Sequence, residues 1–527
     1  MKHFLSILIL VSAAAAGEIT YQRLLEANSE PGNWLTYSGG YASHRHSKLD
    51  QVNTGNVSRL KMLWAHQMKI TEKLETTPLA IDGVLYITRP PSDVIALDAV
   101  TGRPFWTYRR PMPDKLTACC GQVNRGVAAF GGRLYVGTID AHLVALDART
   151  GSVIWDVEVA DYRAGYSVTV APLVVKDKIV VGIAGGEYGI RGFLDAYDAK
   201  SGKRAWRFYT VPAPGEPGSE TWKGDAWKTG GAPTWVTGSY DPKHNLIYWG
   251  TGNPSPDWNG DVRPGDNLYS CSVIALDADT GKRKWHFQFT PHDLHDWDAV
   301  QIPVLVDGMF RGQKREMMYW ANRNGFFYVL DRVTGEFLRG APFVRLTWAS
   351  GLDDRGRPVR NPNTAPSREG ALVYPGVQGG TNWYSPSYSP LTGLMYFSVW
   401  DYASIYYTGD APYRPGNRFL GSVPAKIPED PGTGAVRAIE PETGKLRWEY
   451  KLLSTPNAGI LSTAGGVVFG GTNEGHFFAL DAATGKELWR INTGGQVIAG
   501  PMTYLSGGKQ RISIAAGSAL FTFGLDE

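Results

Sequence analysis

Short apolar runs of strand length alternate with polar, glycine-bearing turns along most of this 527-residue chain. Val94-Ile95-Ala96-Leu97 is one such run, and it leads into Asp98 and a Thr101-Gly102 turn. Glycine tolerates the positive φ that such a turn demands. The next strand ends in Trp106, whose indole is large enough to pack between neighbouring sheets. The same order, Asp-x-x-Thr/Ser-Gly and then Trp, begins again at Asp147 (Trp155), Asp198 (Trp206), Asp277 (Trp285) and Asp481 (Trp489). Glu440 replaces Asp in the copy ending at Trp448, and the copy at Asp331 has Arg339 where Trp is expected. Before most copies stands another hairpin pattern, such as Gly132-Arg133-Leu134-Tyr135-Val136-Gly137.

A period of roughly fifty residues with four short strands per copy is the pattern of a β-propeller blade. An open solenoid is the competing architecture, and the blade-length period disfavours it. The gap between Asp331 and Glu440 has room for a degenerate copy around Ser389–Gly393, which brings the seven visible copies to eight. The pattern therefore predicts an all-β, eight-bladed β-propeller with tryptophan-docking repeats. A strand around Leu60–Trp64 is expected to close the ring beside C-terminal strands around Arg511–Phe523. Two segments rich in Pro and Gly, Val211–Pro233 and Trp348–Val436, break the rhythm. Long loops on a rigid scaffold tend to carry function, so these should cover one mouth of the propeller.

Charge and composition then narrow the function. The 53 Lys+Arg and 50 Asp+Glu nearly balance, which gives no electrostatic footprint for nucleic acid. Residues 1–17 read as a secretory signal: Lys2 and His3, the apolar run Phe4–Val11, and small residues at Ala13–Ala16. No later run approaches the ~18 apolar residues of a spanning helix. Residues 18–527 are thus expected to form a single exported propeller domain with no membrane span. The three cysteines are Cys119, Cys120 and Cys271, and none makes a C-x-x-C-H haem site or a zinc pair. If the protein moves electrons, it must hand them to a separate partner.

Cys119-Cys120 is the rarest local feature. Consecutive Cα atoms lie about 3.8 Å apart, below the usual disulfide range. Export favours oxidation, so a strained bond and two free thiols both stay open on geometry alone.

The segment Cys119-Cys120-Gly121-Gln122-Val123-Asn124-Arg125-Gly126 resembles the vicinal-disulfide segment of the PQQ-dependent methanol and alcohol dehydrogenases. Four further segments match in order: Gly185–Gly192, Gly250–Pro254, Thr290–Asp298 and Asn322–Gly325. The resemblance covers nearly the whole mature chain and includes the tryptophan repeat. It implies pyrroloquinoline quinone (PQQ) as cofactor, with a Cys119–Cys120 disulfide on one face of the planar quinone and Trp235 on the other. A flat cofactor needs such stacking for burial and orientation. Its carboxylates and quinone oxygens also need cations and donors, for which Glu75, Arg125, Thr169, Gly185, Gly186 and Asn382 are the matching positions. Arg323 matches the arginine that holds the reacting carbonyl.

The resemblance also implies a metal site at Glu187, Asn253, Asp296 and Asp298. Carboxylate and amide oxygens suit a hard cation. Asp296 matches the catalytic base, which takes the alcohol's hydroxyl proton as hydride moves to the quinone. Asp298, two positions later, marks the lanthanide-using members of the resembling family, and Gly186 before Glu187 fits the same pattern. A trivalent ion invites one more carboxylate than a divalent ion needs. In an extended segment Asp296 and Asp298 point to the same side, although a solvated or turn-capping Asp298 is the plainer alternative. His292 and His295 are expected to make local hydrogen bonds, and Cys271 to be a small buried hydrophobe. Asn457 departs from the Trp that many relatives carry, which leaves that edge of the cofactor site open.

The expected activity is periplasmic oxidation of a small primary alcohol, with PQQ, a lanthanide ion and a separate soluble cytochrome c as electron acceptor. Calcium in place of the lanthanide, with a larger alcohol, polyol or sugar, is the alternative. A cofactor-free propeller scaffold is a third reading, and it leaves Cys119-Cys120, Glu187, Asn253, Asp296 and Arg323 to coincidence. Homodimers are common among similar enzymes, and the oligomeric state stays open.

Overall fold

The computed structural model describes residues 18–525 apart from residue 117, so the signal-peptide expectation for residues 1–17 lies outside the described residues. Strands dominate, and the longer helical element among the described residues is a single turn at Tyr21–Leu25.

Four-stranded antiparallel sheets follow one another around a ring of eight blades, and His46–Ser47 adds a short parallel strand to the seventh. The first runs Leu79–Ile81, Val84–Arg89, Asp93–Asp98 and Pro104–Tyr108. The next four begin at Ala128–Phe130, Leu173–Val175, Ser239–Asp241 and Val304–Phe310. The sixth joins Ser387–Ser389, Leu394–Asp401, Thr433–Glu440 and Lys445–Leu452, and the seventh begins at Leu461–Thr463. In the first blade, the first three strands are almost wholly buried while Pro104–Tyr108 faces outward.

The eighth blade is built from both ends of the fold. Met502–Ser506, Lys509–Ala516 and Ala519–Gly524 form three strands, and Lys61–Gln67 pairs antiparallel with the last of them. Ring closure is as the sequence indicated, but the hidden eighth repeat is not. Ser389–Gly393 is the turn between the first two strands of the sixth blade, since Ser389 pairs with Leu394. The long gap arises because insertions both precede and interrupt this blade. One carries the small hairpin Ala349–Leu352 with Pro358–Arg360, and Ala371–Val373 pairs with Ser404–Tyr406.

Each residue of the repeat has a physical task. Asp147 Oδ1 accepts the Arg149 and Thr150 N–H groups at 3.0 and 2.9 Å and so caps its turn. Asp98, Asp277, Asp331 and Asp481 do the same for theirs. Gly281 has φ +68°, and a Cβ there would meet the Trp206 ring at 2.6 Å. Trp206 therefore lies flat on the next blade's turn, and its Nε1 donates to Ala278 O at 3.1 Å. Trp448 repeats the bond on Ala482 O at 3.1 Å. Trp64, from the closing strand, docks in the same way over Gly102. The blade ending near Arg339 dispenses with Trp because Ala341 Cβ occupies the place over Gly444.

In each blade the start of the first strand and the end of the second lie at the same edge, because the two are antiparallel. Loops before first strands and after second strands therefore open on one mouth. Glu75, Arg125, Thr169, Trp235, Asp296, Asp298 and Asn382 lie on loops of the first kind, and Gly185–Glu187, Asn253 and Arg323 on loops of the second.

Candidate active site at one mouth of the propeller

Arg323 is the hub of the mouth. It is 4 % exposed, and its Nη1 donates to Asp298 Oδ2 at 2.5 Å while Nη2 donates to Asp296 Oδ2 at 3.1 Å. Nη2 also reaches Val377 O at 2.7 Å, which fixes the guanidinium plane. Gly379 allows this approach, since a Cβ there would lie 2.1 Å from Arg323 Cγ. Asp296 and Asp298 thus meet one guanidinium, although the segment is not the extended one expected, because Asp296 has φ +60°. Between them Trp297 turns into the core, stacks on His295 at 4.3 Å and donates to Gly376 O at 3.0 Å.

Asp298 Oδ1 accepts the Asn253 N–H at 2.7 Å, so the aspartate loop is tied to the loop of the fourth blade. Gly252 makes room for it, because a Cβ there would meet Asp298 Oδ1 at 2.4 Å. The Gly186 carbonyl accepts from the Ser255 hydroxyl, which joins the Glu187 turn to the same loop. Glu187 Oε1 lies 2.7 Å from Cys119 Sγ. Cys119 and Cys120 are joined by a disulfide, so this is a contact with a proton-free sulfur rather than a hydrogen bond. The disulfide also excludes thiolate ligation by either cysteine.

Charge in the mouth is unbalanced. Burial pushes the Glu187 carboxyl up to about 7, and nearby Asp298 adds to the effect. Burial also holds Asp296 well above the usual carboxylate range. Arg323 opposes this, while Asp298, Asp257 and Glu187 reinforce it. Asp296 keeps 21 % of its side chain exposed at the mouth, where Asp298 keeps 7 %. Asp296 also has φ +60°, an uncommon conformation for a non-glycine residue that fits a functional constraint. A cluster of hard oxygen donors with excess negative charge suits a cation bound through oxygen.

A second cluster lies on the other side of Trp235. Arg125 pairs with Glu75 at 2.7 Å and donates to Thr169 Oγ1 at 2.9 Å. Its guanidinium sits 4.9 Å from the Trp235 ring and 4.6 Å from the Trp383 ring. The buried Nε of Arg125 has no hydrogen-bond partner, which leaves a cationic donor for an anionic group. Trp235 links the two clusters, since it lies under the Arg125 guanidinium and its indole favours the charged form of Asp298. Gly185, at φ +121°, lets the turn pass against Gly165 O.

Some expected residues stand apart. Asn382 is held by Gln378 O at 3.0 Å and makes no bond to Arg323. His292 and His295 bond main-chain carbonyls of Gly265 and Thr364, and Cys271 is buried and free. Asn457 accepts from the Tyr384 hydroxyl at 2.5 Å and donates to Asn473 at 2.9 Å, forming a polar edge. Sequence reasoning missed Asp257, a buried acid beside this site. No local signal marked it, since its loop also carries Asn253, Asn259, Asp261 and Arg263.

Comparison with known proteins agrees with this geometry. A family model described as glucose/ethanol/alcohol dehydrogenase, beta-propeller domain, matches residues 34–341. One for the outer membrane protein assembly factor BamB matches residues 432–516. The quinoprotein alcohol dehydrogenase PedH of Pseudomonas putida is 40% identical, over 97% of this chain and 90% of its own length. The structure of the quinohemoprotein alcohol dehydrogenase from Comamonas testosteroni superposes with a TM-score of 0.93 at 36% identity, covering 97% of this chain and 83% of that one. A europium-containing methanol dehydrogenase superposes with a TM-score of 0.90 at 33% identity, covering 96% of this chain and 100% of that one. With likeness running through almost all of its length, the chain belongs to the PQQ-dependent quinoprotein alcohol dehydrogenases.

Proposed function

We propose that this enzyme is exported to the periplasm and oxidises a small primary alcohol to its aldehyde with Asp296 as base, using PQQ and a lanthanide ion. The observation that carries the reading is the group of acids gathered around Arg323, with Asp296 keeping 21 % of its side chain open at the mouth against 7 % for Asp298. Glu187, Asn253, Asp296 and Asp298 would hold the ion. The Cys119–Cys120 disulfide and Trp235 would flank the quinone, and Arg125, Thr169 and Glu75 would meet its polar rim. Gly185 and Gly186 would bring main chain close to the quinone, and Asn382 would offer an amide at its edge. When bound, PQQ supplies a two-electron acceptor for hydride and the metal supplies Lewis acidity.

The chain's own residues set up the proton transfer. Asp296 accepts the hydroxyl proton as the C–H bond of the same carbon breaks, so the alcohol loses a proton and a hydride. Arg323 orients Asp296 through Nη2 and Asp298 through Nη1, which fixes the base relative to the ion site. Asp298 still offers a second lone pair on each oxygen, because each accepts one main hydrogen bond.

Among the described residues no helix is long and apolar enough to cross a membrane. That fits an exported enzyme, and the lack of a haem-attachment motif supports a separate cytochrome c as acceptor. Calcium with a larger alcohol is the second reading. One observation favours it: Asn457, Asn473 and Tyr384 make a polar, smaller edge where relatives carry an indole.

The test is reconstitution of purified apo-protein with PQQ plus either calcium or lanthanum, followed by dye-linked oxidation of an alcohol panel. Lanthanum should support turnover. Activity with calcium alone sinks the lanthanide assignment, and no activity with either ion sinks the proposal.

A further inference from the structure

None of the roles above uses Asp257. It is 1 % exposed, and neither of its carboxylate oxygens has a hydrogen-bond partner. An unpaired buried carboxylate is among the costliest groups a fold can carry, so its counter-charge must be found. Its strongest electrostatic neighbours are Glu187 and Asp298, both like-charged, and the Asn253 amide faces it.

One buried cation lies close by but does not pair with it. Arg263 is fully buried and spends its donors on Pro256 O at 3.1 Å, Asn267 Oδ1 at 2.9 Å, Asp293 O at 2.7 Å and the main-chain carbonyl of Asp257 at 3.3 Å. Arg263 thus fastens the loop by its backbone and leaves the carboxylate to the other acids. On the far side, the Trp258 N–H donates to Leu420 O at 2.9 Å. The loop is held at both flanks, so the carboxylate's direction is built in.

Glu187, Asp257, Asp293, Asp296 and Asp298 act on two buried cations, Arg323 and Arg263. Arg418 also acts on Glu187, but it is exposed and therefore screened. Five formal negative charges against two positive leave an excess of three. A trivalent ion matches that excess, whereas a divalent ion leaves one carboxylate uncompensated.

We propose that Asp257 is a further carboxylate of the metal site, giving an oxygen to the ion or to a water on it, and that it biases the site toward trivalent over divalent ions. This rests on the metal assignment of Glu187, Asn253, Asp296 and Asp298. It shifts part of the selectivity from Asp298 to a residue of another loop.

Asp257→Asn keeps the shape and removes the charge. PQQ-loaded wild type, Asp257→Asn, Asp257→Glu and Asp298→Ala would be dialysed against lanthanum or calcium, with bound metal read by elemental analysis. Asp257→Asn should weaken lanthanum binding by on the order of tenfold more than calcium binding, as removing one close charge affects the higher-valent ion more. Asp257→Glu should keep most of the preference. Europium luminescence lifetimes in light and heavy water should show more bound water in Asp257→Asn than in wild type. Melting of the metal-free proteins checks folding, and Asp257→Asn should melt no lower than wild type.

Equal weakening for both ions, or none for either, overturns the proposal. If wild type binds neither ion, or Asp298→Ala binds both as wild type does, the metal assignment itself fails and the proposal falls with it. A folded Asp257→Glu that loses the preference as fully as Asp257→Asn also counts against a charge role.

Discussion

The outer ring of this propeller and its mouth solve opposite problems with similar materials. In the ring, carboxylates of the repeat turns are capped by neighbouring N–H groups, and buried indoles find carbonyls on the next blade. At the mouth, acids crowd one guanidinium and Asp257 has no partner at all. The ring satisfies most of its polar groups within itself, although the docking indole of Trp285 finds no partner, whereas the carboxylates of the mouth await an added cation. Stability and activity should therefore separate between the two regions, which mutation can test.

The largest effect is expected at the mouth. Asp296→Asn should cut kcat by about 10²–10⁴-fold, the range for loss of a positioned base, while the melting temperature barely moves. A variant that keeps activity would remove Asp296 as base, and one that unfolds would erase the division between regions. In the ring, Trp206→Ala should cost about 3–5 kcal/mol in denaturant unfolding and leave KM unchanged, as expected for truncating a buried aromatic. Gly281→Ala is the smaller version. Its methyl would press on the Trp206 ring at a positive φ, so about 1–3 kcal/mol should be lost.

The smallest effect is one of pH. Burial lowers the pKa of His46 and His286 to about 4, with His44 and Lys48 adding to it for the first and Arg283 for the second. An unfolded chain would titrate them near 6.5, so it binds more protons than the folded one between those values. Their stabilisation is full above about 6.5 and is lost as pH falls toward 4. Both belong to the ring, on the strands His46–Ser47 and Arg283–Gln288. In the metal-free protein, His46→Gln and His286→Gln should each make the melting profile less steep as pH falls from about 6.5 toward 4. An acid limb that neither substitution changes would place its cause at the mouth instead and blur the contrast.

The ring was the more legible region because each blade repeats one local solution. An Asp caps a turn, a Gly leaves room, and a Trp fills it, so the order of residue types survives in the sequence. The eighth blade escaped that reading because its docking tryptophan, Trp64, comes from a different part of the chain than its other strands. The false copy at Ser389–Gly393 has the turn chemistry without the following Trp, and it proved to be an ordinary hairpin. At the mouth, Cys119-Cys120 and Asp296-Trp297-Asp298 were readable because their neighbours in sequence are also their neighbours in space. Asp257 was not readable, since its acidic company comes from Glu187 and Asp298 on separate loops. Sequence spacing carries no record of such a meeting, and only the folded ring brings the loops together.

The pairing of Lys61–Gln67 with Ala519–Gly524 has a consequence for biogenesis. The first of these strands leaves the ribosome long before the second exists, so its edge stays unmatched through most of synthesis. Closing a contact of that sequence separation is slow, because the loop entropy must be met before the contact rewards it. Until that last strand arrives the ring is an open arc, and its blades are free to spread. The mouth loops cannot hold their relative positions in such an arc. The chain is therefore expected to become competent to receive its cofactor only after its final strand has docked.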